Sequence, residues 1–215
     1  MIVGRIAALA IGYCCGLFLS GYLYGKKQHV DVTKMGSGNV GATNTLRNLG
    51  WKAGAVTLIG DVGKVFAAIF LVWLIFHKNY PDTVRLFELY AGFGAVLGHD
   101  FPVYMKFKGG KGISCTGGIV LGFCPIAAPV SLGLFLLTVL VTRYVSLGSI
   151  LGVISLFIQI LIFGHKGWLG IPAAYMNEVY VIFAIITIIG IAKHHANIKR
   201  LLNGTENKIG SKKAA

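Results

Sequence analysis

One short segment of the sequence is rich in glycine, hydroxyl and amide side chains and ends at an arginine. Residues 36–44 read GSGNVGATN, and Arg47 follows. Glycines let the backbone turn its amide groups inward, which makes a concave nest for an anion. Thr43 or Asn44 is expected to cap a short helix whose free amides attract phosphate, and Arg47 can bind phosphate through two parallel hydrogen bonds. The segment therefore predicts a phosphate-binding loop; the alternative is a flexible interfacial loop.

A second polar segment carries lysines on either side of a glycine pair. Residues 98–112 read GHDFPVYMKFKGGKG, in which Lys108 and Lys111 flank Gly109 and Gly110. This arrangement predicts a phosphate cradle whose charge comes from lysine. It is not a Walker A loop, because glycine rather than Ser or Thr follows Lys111. The alternative is that both lysines are membrane anchors whose side chains extend to the surface.

Two further polar segments offer three candidate groups. Ser146 lies in residues 143–150, RYVSLGSI, and His194 and Asn197 lie in residues 194–206, HHANIKRLLNGTE. If the preceding apolar helix continues here, His194 and Asn197 share one face at i, i+3. A histidine in this position can orient or deprotonate a hydroxyl group. The alternative is an interfacial histidine without a catalytic role.

Long apolar runs separate these segments and must position them. The chain is 55% hydrophobic and only 13% charged, whereas a soluble domain carries about 25% charged residues. Lipid cannot satisfy open backbone groups, so the predicted fold class is all-α, a polytopic membrane helical bundle forming one domain over 1–215. The runs that we expect to cross the membrane are 2–24, 54–76, 86–105, 147–163 and 175–193.

The stretch 113–142 decides the number of crossings. As one helix it would extend about 45 Å, and Pro125 and Pro129 near its middle favour a break or a hairpin tip. A hairpin gives seven transmembrane helices, with the N-terminus outside and the C-terminus cytoplasmic. Of the 20 basic residues, 15 then lie in the inner segments, in line with the positive-inside tendency. They are Lys26, Lys27, Lys34, Arg47, Lys52, Lys106, Lys108, Lys111, Arg143, Lys193, Lys199, Arg200, Lys208, Lys212 and Lys213.

The net charge of +13 lies mainly at the ends of the apolar runs. Anionic membrane lipids and phosphorylated substrates are therefore the expected partners, and nucleic acid is not. Asp61 and Lys64 lie within an apolar run at i, i+3, which favours a structural ion pair; the alternative is a functional cavity. The few carboxylates are scattered, so no metal ion or other cofactor is expected.

The polar segments together resemble one family, the bacterial acyl-phosphate-dependent glycerol-3-phosphate acyltransferases. The matching residues are GSGNVGATNTLR at 36–47, GHDFPVYMKFKGGKG at 98–112, RYVSLGSI at 143–150 and HHANIKRLLNGTE at 194–206. The resemblance implies seven helices in the bacterial cytoplasmic (inner) membrane and an active site at the cytoplasmic face. It implies acyl transfer from acyl phosphate to the 1-hydroxyl of glycerol 3-phosphate, giving lysophosphatidate and inorganic phosphate. Acyl-CoA and acyl carrier protein are then not direct donors, and no obligate protein partner is expected.

The resemblance also places functional residues. By motif position they fall on Ser37, Arg47, Lys111, Ser146, His194 and Asn197. We predict His194, Ser37 and Lys111 as catalytic residues, with His194 preferred to His195 because it stands three residues before Asn197. The predicted phosphate-binding residues are Gly36, Ser37, Gly38, Asn39, Arg47, Gly109, Gly110, Lys111, Ser146 and Asn197. Neither serine stands in an evident Ser-His-Asp arrangement, so both are expected to bind rather than attack. Whether His194 or a substrate phosphate takes the hydroxyl proton stays open.

Two other functions compete with this one. Acyl-CoA-type acyltransferases use a His-x4-Asp pair, and His77 and Asp82 have that spacing, but they lie in an outer loop away from the basic segments. A transporter for a phosphorylated metabolite or lipid would also need basic residues and a membrane cavity. Transporters place their sites near the midplane between repeated halves, whereas the polar motifs here fall at one face and no repeat is visible. Acyl transfer is therefore the preferred function.

Overall fold

The computed structural model describes residues 1–210, and over that range the chain is helical without a strand. The all-α prediction is confirmed. Lys212 and Lys213, which the charge count placed inside, lie outside the described residues. The α-helices are α1 Ile2–Gly16, α2 Ser20–Lys27, α3 Ala42–Leu49, α4 Trp51–Phe76, α5 Val84–Asp100, α6 Ile113–Phe123, α7 Ala128–Thr142, α8 Val145–His165, α9 Met176–Ala192 and α10 His195–Leu202. Short 3-10 turns lie at Val32–Lys34, Val103–Met105, Pro125–Ala127 and Ala173–Tyr175.

Several helices have the length and composition of membrane spans. Five segments qualify: Ile2–Lys27, Trp51–Phe76, Pro125–Thr142, Val145–His165 and Ala173–Ala192. Large apolar side chains cover the outside of the bundle; on α7, Leu140 and Val141 are 77% and 75% exposed. A continuous apolar surface of this kind fits lipid rather than water. The chain is therefore built as an integral membrane protein.

Prolines set the ends of the helices in the middle of the chain. The run predicted at 86–105 ends as α5 at Asp100, because Phe101 precedes Pro102 and the residue before a proline avoids the helical conformation. The stretch 113–142 is divided into α6 and α7, as expected. Pro125 begins the 3-10 turn between these helices, and Pro129 lies in the first turn of α7, where a proline is tolerated.

The first apolar run, predicted as one helix over 2–24, is instead broken between α1 and α2. The break frees the carbonyl groups of residues 16–18. Lys64 Nζ on α4 donates to two of these oxygens, at 3.1 and 2.9 Å, and the Tyr104 hydroxyl donates to the third at 2.6 Å. Unsatisfied backbone groups are costly away from water, so these two side chains stabilise the break. Lys64 also forms the expected ion pair with Asp61, at 3.2 Å.

Helices α1 and α5 approach each other closely through glycines. A Cβ atom added to Gly12 or Gly16 would collide with the α5 backbone, and one added to Gly94 or Gly98 would collide with the α1 backbone. Small residues let helix backbones touch in lipid, where packing rather than the hydrophobic effect holds helices together. Helix α5 also packs against α4, α6 and α9. It is therefore the central element that positions the second polar segment.

Candidate active site

The four polar segments meet around one cavity of about 640 Å³. Residues from every segment line it, although they are far apart in the sequence. The predicted site residues that line the cavity are Ser37, Asn39, Arg47, Lys111, Ser146, His194 and Asn197. The remaining predicted residues, Gly36, Gly38, Gly109 and Gly110, lie outside the lining and shape the loops that carry the others.

The first polar segment is held in shape by Asn44. Gly36 and Gly38 adopt positive φ angles of 58° and 70°, which only glycine adopts without strain. Asn44 Oδ1 accepts hydrogen bonds from the backbone amide and the hydroxyl of Ser37, at 3.0 and 3.2 Å. The predicted cap at Thr43 or Asn44 is wrong: α3 begins one residue after Gly41, and Asn44 is free to clamp the loop because it lies inside the helix. Ser37 is thereby fixed at the cavity wall.

The second polar segment uses its glycines for close packing. The amides of Gly109 and Gly110 donate to the carbonyl oxygens of Asp100 and His99, at 3.1 and 2.9 Å. Both amides thus have partners within the protein, and the binding of phosphate by Gly109 and Gly110 stays a prediction. A Cβ atom on Gly110 would collide with the His99 ring. The glycines let the loop fold tightly onto the end of α5 and place Lys111 at the cavity.

Glu206 joins the third and fourth polar segments. Its Oε1 atom accepts from Ser146 Oγ at 3.0 Å and from Asn197 Nδ2 at 2.8 Å, and its Oε2 atom accepts from Arg200 Nε at 2.7 Å. Asn197 Oδ1 in turn accepts a hydrogen bond from Lys111 Nζ. Sequence reasoning left Glu206 out of the site. The signal in the sequence was a lone carboxylate within a basic tail, because a buried carboxylate in such surroundings pairs with cations.

His194 and His195 differ completely in their surroundings. His194 is 3% exposed and lines the cavity, whereas His195 is exposed at the surface. The Nδ1 atom of His194 lies 2.7 Å from the Gly190 carbonyl oxygen, so Nδ1 carries the hydrogen and Nε2 keeps a lone pair. Burial, and then the nearby charge of Lys111, lowers the pKa of His194 to about 4. The imidazole is therefore neutral at pH 7.

Positive charge is concentrated in the polar half of the cavity. The pKa of Lys111 is lowered to about 8, mainly by burial; Glu206 opposes this shift, and Arg200 and Arg47 contribute to it. Burial also lowers the pKa of the Arg47 guanidinium. Arg47 donates to the backbone carbonyl of Asn207 at 2.9 Å, in the tail that follows α10. Such a field favours a multiply charged anion.

The other half of the cavity is an apolar wall. It is formed by side chains of α4, α6 and α7, and its larger members are Leu58, Val62, Leu121, Leu132, Phe135, Leu136 and Val139. The wall and the cationic residues line the same cavity. The cavity can therefore accept a molecule with an anionic head and an apolar chain.

Among residues 1–210, no group of three His, Cys, Asp or Glu side chains is placed to hold a metal ion.

An all-helical membrane fold with this two-part cavity defines a class of lipid-handling membrane proteins, and comparison with known proteins gives the family. The family model described as glycerol-3-phosphate acyltransferase matches residues 6–204. The chain therefore belongs to the glycerol-3-phosphate acyltransferase family.

Individual relatives agree with this assignment over nearly the whole chain. The glycerol-3-phosphate acyltransferase of Chlorobium phaeobacteroides is 40% identical over 95% of this chain and 96% of its own length. The crystal structure of PlsY (YgiH), an integral membrane glycerol 3-phosphate acyltransferase, in its glycerol 3-phosphate form, superposes with a TM-score of 0.81 at 33% identity, covering 96% of each chain. The lysophosphatidic acid form of that protein gives a TM-score of 0.78 at 33% identity, covering 96% of this chain and 95% of that one.

The charge on Lys111 should control the binding of phosphate to this cavity. Its pKa of about 8 means that the ammonium is lost as the pH rises through 8. We expect the affinity for inorganic phosphate, measured as stabilisation of the melting temperature in detergent, to fall roughly tenfold or more between pH 8 and pH 10. Lys111→Arg should keep its affinity over this range, because a guanidinium stays protonated. An equal loss in both proteins would contradict the placement of Lys111 at the anion site.

Proposed function

We propose that the protein transfers a fatty acyl group from acyl phosphate to the 1-hydroxyl of glycerol 3-phosphate, releasing lysophosphatidate and inorganic phosphate. The observation that carries the proposal is the joining of a cationic pocket and an apolar wall in one cavity. The pocket suits the two phosphates, and the wall suits the acyl chain. The proposal draws further support from the family and from the crystal structure of PlsY in its glycerol 3-phosphate form.

Binding two phosphorylated molecules side by side is the main task of such a site. Arg47 and Lys111 supply positive charge that offsets the repulsion between the two phosphates. The hydroxyl groups of Ser37 and Ser146 donate to Asn44 and Glu206, and each can turn its single hydrogen to a phosphate oxygen instead. Holding the reactants in line can contribute several kcal/mol to the lowering of the barrier, up to about 7–11 in well-aligned systems. The contact between Arg47 and the Asn207 carbonyl is replaceable by a phosphate oxygen, which is a stronger acceptor.

The reaction needs no covalent intermediate on the protein. The 1-hydroxyl oxygen of glycerol 3-phosphate attacks the acyl carbonyl carbon and forms the new C–O ester bond. The bond between the acyl carbon and the bridging phosphate oxygen breaks, and inorganic phosphate leaves. Ser37 is engaged by Asn44 and Ser146 by Glu206, and neither pairs with a histidine. A serine without a base is a weak nucleophile. We therefore assign both serines to substrate binding, and Ser37 is removed from the catalytic group.

His194 is placed to receive the hydroxyl of glycerol 3-phosphate. Its Nε2 lone pair is free because Nδ1 is bonded to the Gly190 carbonyl. A pKa of about 4 makes the free imidazole a weak base. A substrate phosphate beside it raises that pKa, since a negative charge favours the protonated form. We propose that His194 orients the hydroxyl and takes its proton as the ester bond forms, and that Lys111 stabilises the charge of the departing phosphate. The proton then passes from His194 to this phosphate, which leaves as hydrogen phosphate and restores the neutral imidazole.

We also propose a single domain of seven crossings, with the N-terminus outside, the C-terminus cytoplasmic, and the site at the cytoplasmic face of the bacterial inner membrane. Helix α5 supplies one of the two crossings beyond the five long apolar segments, and the short helix α6 together with the polar loop before it supplies the other. The basic residues concentrate in and beside the loops that supply the polar lining of the cavity, in line with the positive-inside tendency.

The orientation can be read with single cysteines in a variant that lacks Cys14, Cys15, Cys115 and Cys124. We expect a membrane-impermeant maleimide to label Lys78→Cys in intact spheroplasts, because Lys78 lies in the loop between α4 and α5. It should label Asn203→Cys only after permeabilisation, since Asn203 follows α10. The reverse pattern, or labelling of both from one side, would overturn the proposed orientation.

The donor specificity separates the proposed reaction from its competitors. Purified protein incubated with glycerol 3-phosphate should form lysophosphatidate and inorganic phosphate from palmitoyl phosphate, and no product from palmitoyl-CoA. Product from palmitoyl-CoA at a comparable rate would contradict the donor assignment. Uptake of labelled glycerol 3-phosphate into proteoliposomes without turnover would favour a transporter instead.

Three histidines provide a matched test of the catalytic assignment. We expect His194→Ala to lower the rate of acyl transfer by about 10²-fold or more, as removal of a general base does. Arg47→Ala and Lys111→Ala should each abolish most turnover without unfolding the protein. His195→Ala and His77→Ala should stay within about threefold of wild type, because neither lines the cavity. A larger loss in either control than in His194→Ala would refute the site assignment.

A further inference from the structure

His99 is a buried histidine that the proposed mechanism does not use. It lies near the end of α5, is 2% exposed, and nevertheless belongs to the cavity lining. The Gly110 backbone packs directly against its ring, where a Cβ atom would collide. A histidine in so dry a place is held by hydrogen bonds, and those bonds decide which ring nitrogen carries the hydrogen.

Lys64 fixes the state of the His99 ring. The Lys64 Nζ atom lies 2.8 Å from His99 Nδ1, and Asp61 balances the charge of this ammonium. An ammonium group can only donate. His99 Nδ1 must therefore accept, which places the ring hydrogen on Nε2 of the neutral imidazole.

The Nε2–H group has no hydrogen-bond partner among residues 1–210. The hydrogen-bond and ion-pair contacts of the His99 ring, with Lys64 at 2.8 Å and with Asp61 at 3.6 Å, both involve Nδ1. The Gly110 backbone covers one side of Nε2, where an added Cβ atom would collide with it, and His99 also belongs to the cavity lining. A buried donor left unpaired is costly, and a ligand in the cavity would supply the missing acceptor.

We propose that His99 is a substrate-binding residue whose Nε2–H group donates a hydrogen bond to a phosphate oxygen in the cavity, and that Lys64 is its positioning residue. The inference rests on the proposed function, because it takes the ligand of the cavity to be a phosphate. His99 is then complementary to His194. The Gly190 carbonyl gives His194 a free lone pair for a hydroxyl, and the Lys64 ammonium gives His99 a free N–H for an anion.

Two amide replacements separate this role from a packing role. Glutamine places its side-chain amide near the position of Nε2, whereas asparagine places its amide near Nδ1. If Nε2–H binds phosphate, His99→Gln should keep KM within about threefold of wild type, and His99→Asn should raise it roughly tenfold, the loss expected for a hydrogen bond to a charged group. If His99 only satisfies Lys64, His99→Asn should be the better variant. Equal KM values, or a better asparagine variant, would overturn the proposal.

The assay is run with either substrate varied, so that the rise in KM identifies the phosphate of glycerol 3-phosphate or that of palmitoyl phosphate. Wild-type protein in the same assay separates the proposed acyl transfer from the proposed role of His99. A wild type that forms no lysophosphatidate would refute the proposed function. An active wild type with indistinguishable variants would refute only the role of His99. Melting temperatures in detergent identify a variant that has failed to fold.

A measurement on the unaltered protein completes the test. In protein labelled with ¹⁵N-histidine, His99 should be the buried histidine with a protonated Nε2, whereas His194 should show a protonated Nδ1. Addition of inorganic phosphate should shift the Nε2 resonance of His99. A protonated Nδ1 on His99, or no response to saturating phosphate, would contradict the proposal.

Discussion

A single buried ammonium group, that of Lys64, connects the elements on which the site stands. It donates to two carbonyl oxygens at the break between α1 and α2, pairs with Asp61 on its own helix, and meets His99 near the end of α5. An isolated charge in such a place would cost several kcal/mol. The ammonium is tolerated because these partners surround it, and each of them depends on it in turn. One nitrogen atom therefore links the broken first span, α4 and α5 beside the site.

The cavity carries an excess of positive charge that its own side chains only partly neutralise. Glu206 is the single carboxylate among its described lining residues, and both of its oxygens are already bonded. It organises Ser146, Asn197 and, through Asn197, Lys111. The repulsion among Arg47, Arg200 and Lys111 is left for an anion to relieve. The Glu206 carboxylate thus holds the hydrogen-bond donors in place, and an anionic ligand is needed to neutralise the remaining positive charge.

Much of this architecture follows from local sequence features. The lengths of the apolar runs and the prolines near residues 125–129 predict the helices, and the basic ends of those runs predict which segments meet. Contacts between elements that are far apart in the sequence could not be predicted from such local features. Nothing in an unbroken apolar run reveals the break at residues 17–19, because its cause is Lys64 on another helix. In the same way, the sequence of the glycine pair at 109–110 does not reveal that both amides donate to carbonyl oxygens of α5.

The brevity of α6 has a consequence for how a lipid reaches the reaction centre. Its 11 residues rise about 16 Å, roughly half of the hydrocarbon thickness. The segment Pro125–Thr142 has 18 residues, which rise about 27 Å at the same pitch. Measured along the helices from the turn that joins them, Lys111, just before α6, is therefore roughly 10 Å nearer to that turn than the end of α7 is. An acyl chain that lies in one leaflet can then reach the region of Lys111 from the side, without being lifted into water. Each methylene group that stays in lipid avoids a cost of about 0.8 kcal/mol.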